Sequence, residues 1–142
     1  MKLIIASTFI IDQAAKHLAN KHVKEGESRR LLGKLHLTNA KNHGMAFGAL
    51  SGRKKLLMVI SGFAMAGVIR DYIRAKGGER VGLAFMLGAG ASNIFDRTTE
   101  KGVTDYLYFE AKKPPLIFNL ADIFVLVGVI INIISRIKEK VG

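Results

Sequence analysis

Cysteine is absent from the 142 residues, and proline occurs only twice, side by side at 114 and 115. Without cysteine there are no disulfides, no zinc-thiolate sites and no thiol nucleophile. Two hydrolase signatures are missing as well, H-E-x-x-H and G-x-S-x-G. His17, His22, His36 and His43 form no metal-ligand pattern. The G-x-G within "GLAFMLGAGASNIF" lies inside an apolar run, lacks the rest of a G-x-G-x-x-G, and reads as helix packing. Acidic residues are scarce, 11 against 22 Lys and Arg, for a net charge of +11. That balance favours anionic partners, either nucleic acid or lipid headgroups. The charges lie between apolar runs rather than on one tail, so lipid is the better match.

Apolar residues make up 49% of the chain, and mean hydropathy is +0.24. They gather in four runs, at 3–19, 56–73, 81–95 and 116–135. Only the last approaches the roughly 20 residues that cross a bilayer. The others reach that length by taking in polar ends. We read four short spans in a single domain over 1–142, at 2–19, 56–73, 81–97 and 116–135. The third is rich in small residues (Gly82, Gly88, Ala89, Gly90, Ala91, Ser92), which let membrane helices approach closely. The start, Met1–Lys2 and then apolar residues, resembles a secretory signal. No small-x-small cleavage site follows it, so a retained first span is expected.

Between the spans, "LHLT" alternates as a half-buried strand does, "NAKNHG" reads as a turn, and Met45–Leu50 is a candidate return strand. "RAKGGER" is a tight basic turn. The segment 98–115 reads as a loop, ended by Pro-Pro, with a new helix expected from Leu116. An even number of spans puts both termini on one side and the segments 20–55 and 98–115 together on the other. The side of the termini holds eight Lys and Arg and the other side twelve. This count opposes a cytoplasmic location for the termini, although the rule weakens for a folded loop.

Several polar residues sit in or at the rim of the spans. Asp12 and Lys16 are four apart and can pair on one helix face. Asn93, Asp96 and Arg97 share a face, with Asp96 and Arg97 a candidate rim ion pair and Asn93 a candidate interhelical bridge. Asp122 stands six residues, about 9 Å, into the fourth span if that helix begins at Leu116. No Lys or Arg lies within a turn of it, and an unpaired charge in a span is costly. Asp105, in a segment on the same side, is a candidate partner. Two close carboxylates share one proton, and such a pair suits hydrolysis. Other classes remain open on these residues: a proton-linked transporter or chaperone-like binder with four spans, and a soluble nucleic-acid binder, which the fourth span disfavours.

Five motifs occur in order: "DQAAK" (12–16), "NHGMAFG" (42–48), "GAGASNIFDR" (88–97), "VTDY" (103–106) and "FNLAD" (118–122). Together they resemble the lipoprotein signal peptidases (signal peptidase II), a family of bacterial aspartic peptidases, over about the whole chain. The resemblance implies an all-α membrane fold of four transmembrane helices, with a small extracytoplasmic β-sheet between helices 1 and 2. It implies removal of signal peptides from diacylglyceryl-modified prolipoproteins, on the amino side of the lipidated lipobox cysteine. Asp105 and Asp122 would be catalytic. Asp12, Lys16, Asn42, Gly44, Asn93, Arg97, Asn119 and Ala121 would support the site or hold substrate, and Asp96 would be structural. No metal or other cofactor is expected. The expected partners are the prolipoprotein and membrane lipids, without nucleic acid. The expected location is the bacterial inner membrane, with cytoplasmic termini and an extracytoplasmic active site.

Overall fold

A computed structural model describes residues 1–44, 52–100, 102–111 and 115–141. A strand pair follows the first helix and another follows the third, while the second and third helices are joined directly by a turn. The helices are α1 (Lys2–His22), α2 (Lys54–Arg74), α3 (Gly77–Thr99) and α4 (Leu120–Val141). Each has 21 to 23 residues, about 30 Å at 1.5 Å per residue. All four end in a turn that carries a basic side chain, which suits the negative end of the helix dipole. The basic turn before α3 is made as expected. Lys76 is the N-cap, and Gly77 takes φ +51°, a conformation that side chains with a Cβ rarely adopt.

Helix α3 is central and packs on the other three. Its small residues make the crossings. A Cβ on Gly88 would overlap Thr8 Oγ1 and the Ile5 carbonyl of α1. Where α3 meets α4, Gly82 and Gly128 face each other backbone to backbone, and a Cβ on Gly128 would sit 2.7 Å from Met86 Cγ. Alanines are frequent among the buried apolar residues, with Ala19, Ala84, Ala89 and Ala121 beside larger ones such as Leu83, Leu87 and Tyr106. Many large apolar residues face outward, among them Phe63 (77% exposed), Ile10, Val59, Leu126, Ile130 and Ile133. Helices α2 and α4 are long and apolar enough to cross a membrane. Helices α1 and α3 have the length, but their facing surfaces carry Asp12, Gln13, Lys16, Ser92, Asn93 and Asp96, which lowers their mean hydropathy.

The strands are β1 (Ser28–Leu32), β2 (Leu35–Asn42), β3 (Val103–Phe109) and β4 (Leu116–Phe118), in one antiparallel sheet of that order. Gly33 (φ +53°) makes the two-residue turn from β1 to β2. Thus the segments 20–55 and 98–115, expected on one side, do meet: β2 pairs with β3, with Ala40 opposite Asp105.

Three expectations need correction. The sheet does not lie only between helices 1 and 2, because half of its strands come from the connection between α3 and α4. The segment 98–115 contains a strand, Val103–Phe109, as its β-branched and aromatic run Val-Thr-Asp-Tyr-Leu-Tyr-Phe favours. The fourth helix starts at Leu120, not Leu116, since Leu116–Phe118 pairs with β3. The strand expected over 45–50 lies outside the described residues.

Candidate active site

The start of α4 is a reciprocal cap. Asn119 Oδ1 accepts from the Asp122 N–H at 3.0 Å, and Asp122 Oδ2 accepts from the Asn119 N–H at 3.1 Å. This is a capping box, with Asn as N-cap and Asp at the third helical position. Asp122 is therefore in the first turn, not 9 Å along a helix. The cap satisfies two of the amides that a helix start leaves open.

Asn119 also reaches the second carboxylate. Its Nδ2 donates to Asp105 Oδ1 at 2.7 Å, and Asn42 Nδ2 donates to Asp105 Oδ2 at 3.0 Å. Asp105 projects from the centre of β3 and is 4% exposed. Burial pushes its carboxyl up to about 6. The Asn42 amide opposes that rise, the charge on Asp122 adds to it, and the Asn119 amide opposes it. Asp122 remains exposed. Both carboxylates line one cavity of about 640 Å³ with Asn42, Asn93, Arg97 and Asn119. Its apolar walls come from Ala40, Val103, Leu116 and Phe118.

Below the cavity lies a buried ionic cluster. Lys16 Nζ pairs with Asp12 Oδ2 at 2.7 Å and with Asp96 Oδ2 at 2.9 Å. It also donates to Asn93 Oδ1 at 2.9 Å and Ser92 Oγ at 3.2 Å. Buried charges need such partners. Each acid of the cluster in turn accepts a backbone N–H beside a cavity carboxylate. Asp96 Oδ2 accepts from Thr104 N at 3.2 Å, next to Asp105. Asp12 Oδ1 accepts from Ala121 N at 3.0 Å, next to Asp122. The cluster thus ties the strand carrying one carboxylate and the helix carrying the other to the α1–α3 pair.

Every candidate from the sequence falls in this region. Asp12 pairs with Lys16 as expected. Asp96 does not pair with Arg97; it turns to Lys16, and Arg97 lines the cavity. The reason lies in burial: Asp96 faces the α1 interface, where Lys16 is the available cation. Asn93 bridges helices, accepting from Lys16 and, at 3.3 Å, from Asn119 Nδ2. Gly44 donates its N–H to Asn42 Oδ1 at 2.9 Å, which orients that amide toward Asp105, and its carbonyl accepts from Arg97 at 3.5 Å. Ala121 offers its backbone N–H, and its methyl is fully buried.

Sequence reasoning passed over Gln13, Ser92 and Tyr106. Gln13 Nε2 donates to Asp96 Oδ1 at 2.7 Å, and Ser92 Oγ donates to Asp12 Oδ2 at 2.5 Å. Tyr106 bonds to Asp12 and to the backbone of α4. All three lie inside the quoted motifs, Gln13 in 12–16, Ser92 in 88–97 and Tyr106 in 103–106, so position was their available signal.

A buried acid held near neutrality beside an exposed carboxylate is suited to general acid–base hydrolysis. Comparison with known proteins gives the family. The family model for signal peptidase (SPase) II matches residues 4–138. The lipoprotein signal peptidase of Brevibacillus brevis is 37% identical over 131 residues, covering 89% of this chain and 87% of that protein. That of Halothermothrix orenii is 32% identical over 144 residues, covering 99% and 97%. A solved bacterial membrane enzyme superposes with a TM-score of 0.87 at 26% identity, over 97% of this chain and 87% of that one. A second superposes at 0.83 and 27% identity, over 96% and 91%. Likeness to membrane enzymes, with the outward-facing apolar helices, identifies a membrane protein. By the family match and the identity to its members, the chain belongs to the signal peptidase II family of peptidases.

Proposed function

We propose that the protein is a membrane aspartic endopeptidase that removes signal peptides from diacylglyceryl-modified prolipoproteins. It cuts the peptide bond on the amino side of the lipidated lipobox cysteine. The observation that carries this reading is Asn119, which binds Asp105 through its side chain and exchanges hydrogen bonds with Asp122 at one cavity wall. Two carboxylates so linked hold one proton between them and titrate as a pair. The ionised member takes a proton from water as the oxygen attacks the scissile carbonyl. The protonated member donates to the carbonyl oxygen, giving a gem-diol intermediate. Collapse of the diol breaks the C–N bond, a proton passes to the cysteine amine, and the new carboxyl end leaves with the signal peptide. The pair then holds one proton again.

The remaining residues act around this step. Asn42, Asn119 and Asn93 orient the carboxylates, with Gly44 fixing Asn42. Arg97 faces the cavity as a cation for substrate carbonyls. Asp12, Lys16, Asp96 and Ala121 hold the framework. All four helices span the inner membrane, with the ionic cluster satisfied inside the bundle, as intramembrane charges require. The termini are cytoplasmic, and the sheet and cavity lie at the extracytoplasmic face, where exported precursors arrive.

The test replaces each carboxylate alone. Asp105→Asn and Asp122→Asn, assayed on a diacylglyceryl prolipoprotein, should each lose at least about 100-fold in kcat, the scale of acid–base catalysis. Wild-type processing by either variant would reject the pair.

A further inference from the structure

The Tyr106 hydroxyl has no part in the reaction above, yet it is buried against the first turn of α4. Tyr106 is 3% exposed. Its Oη accepts from the Leu120 N–H at 3.0 Å and donates to Asp12 Oδ1 at 3.3 Å. Asp12 Oδ1 also accepts from Ala121 N. Consecutive amides of residues 119–122 thus each meet a side chain: Asp122, Tyr106, Asp12 and Asn119. Asn119 and Asp122 belong to this segment and move with it. Tyr106 and Asp12 belong to β3 and α1, so among these four side chains they tie the segment's backbone to the rest of the fold, beside the bond from the Asn119 side chain to Asp105. Tyr106 is also the chain neighbour of Asp105, and on a strand the two side chains point to opposite faces. Its hydroxyl is therefore a short link from the backbone carrying Asp105 to the turn carrying Asp122.

We propose that Tyr106 is a positioning residue, whose hydroxyl holds the first turn of α4 against β3 and so sets the spacing of Asp105 and Asp122. The proposal rests on those two residues being the catalytic pair. Burial, with the charge of Asp12 adding to it, raises the hydroxyl above the ordinary tyrosine range. It stays protonated, able to donate to Asp12 while accepting from Leu120. Asn119 and Ala121 on either side of Leu120 are fully buried, so water is a poor replacement. A phenyl ring would fill the same space and leave the Leu120 N–H without its acceptor.

The experiment compares Tyr106→Phe with Tyr108→Phe, the same change two residues along the strand, where the ring sits edge-on to His36. Both are made in the full chain and assayed on diacylglyceryl prolipoprotein beside Asp122→Asn. Tyr106→Phe should lower kcat about tenfold, since small displacements of catalytic groups are costly. KM should stay within about twofold, because ground-state binding is untouched. Tyr108→Phe should change neither. Leu120→Pro approaches from the other end, deleting the N–H at a helical position that tolerates proline. It should show the same kcat loss. Wild-type kcat in Tyr106→Phe or in Leu120→Pro, with Asp122→Asn inactive, overturns the positioning role and leaves the pair intact. A lowered melting temperature with unchanged kcat also overturns it. Activity in Asp122→Asn rejects the catalytic pair itself, and the positioning role with it.

Discussion

Asp105 and Asp122 have the same side chain in different settings. Asp122 caps a helix start and faces the cavity, while Asp105 is enclosed on a strand between two amides. Enclosure makes the charged form of Asp105 costly, which raises its pKa to about 6 from an ordinary value near 3.9. The folded chain then binds this proton more tightly than the unfolded chain between those values. Stability therefore falls as pH rises from about 4 to about 6 and is flat above, by up to about 3 kcal/mol from this group. Melting temperatures in detergent across that range should show the decline in the wild type and a shallower one in Asp105→Asn. Equal slopes would mean that Asp105 is not the group responsible.

Among the elements, α3 does the joining. Glycines give it close contact with α1 and α4, and its polar face meets α1 at the ionic cluster. Gly88→Val should destabilise the protein by about 1–3 kcal/mol, the usual cost of overpacking, because Thr8 and the Ile5 carbonyl occupy the space. It should reduce activity as well, since Asp12 lies one turn beyond Thr8 on α1. On α2, nothing lies within 4 Å of a Cβ placed on Gly62, so Gly62→Ala should be neutral or slightly stabilising. Thermal unfolding of the two variants in the same detergent checks the contrast. The elements also show where local sequence signals were overlooked. Asn-Leu-Ala-Asp at 119–122 is a helix-start signature, and it moves Asp122 from within a span to its first turn.

For the whole molecule, the absence of cysteine becomes an experimental advantage. Single cysteines at Lys34, in the β1–β2 turn, and at Lys76, in the α2–α3 turn, are the only thiols in their variants. In the proposed orientation, a membrane-impermeant maleimide added to intact cells, with the outer membrane permeabilised, labels Lys34→Cys. Lys76→Cys is labelled only after lysis. The reverse pattern would place the sheet in the cytoplasm, as the count of basic residues favours. That count treats 20–55 as an ordinary loop, whereas the segment folds into β1 and β2, with Arg29 and Arg30 on the first and Lys41 on the second.

The sequence by itself determined which helices exist, that the two long connections share a side, and which acids, amides and cations gather at one end. Those features follow from hydropathy, from chain parity and from motif order. Tertiary structure decided the pairings. Lys16 takes both Asp12 and Asp96, Arg97 is left to the cavity, and Asn119 joins two carboxylates. Spacing along a helix says which residues share a face, but the partner across that face depends on which helix packs there and at what distance. The glycine crossings of α3 set that distance, and with it the depth at which each charge is buried.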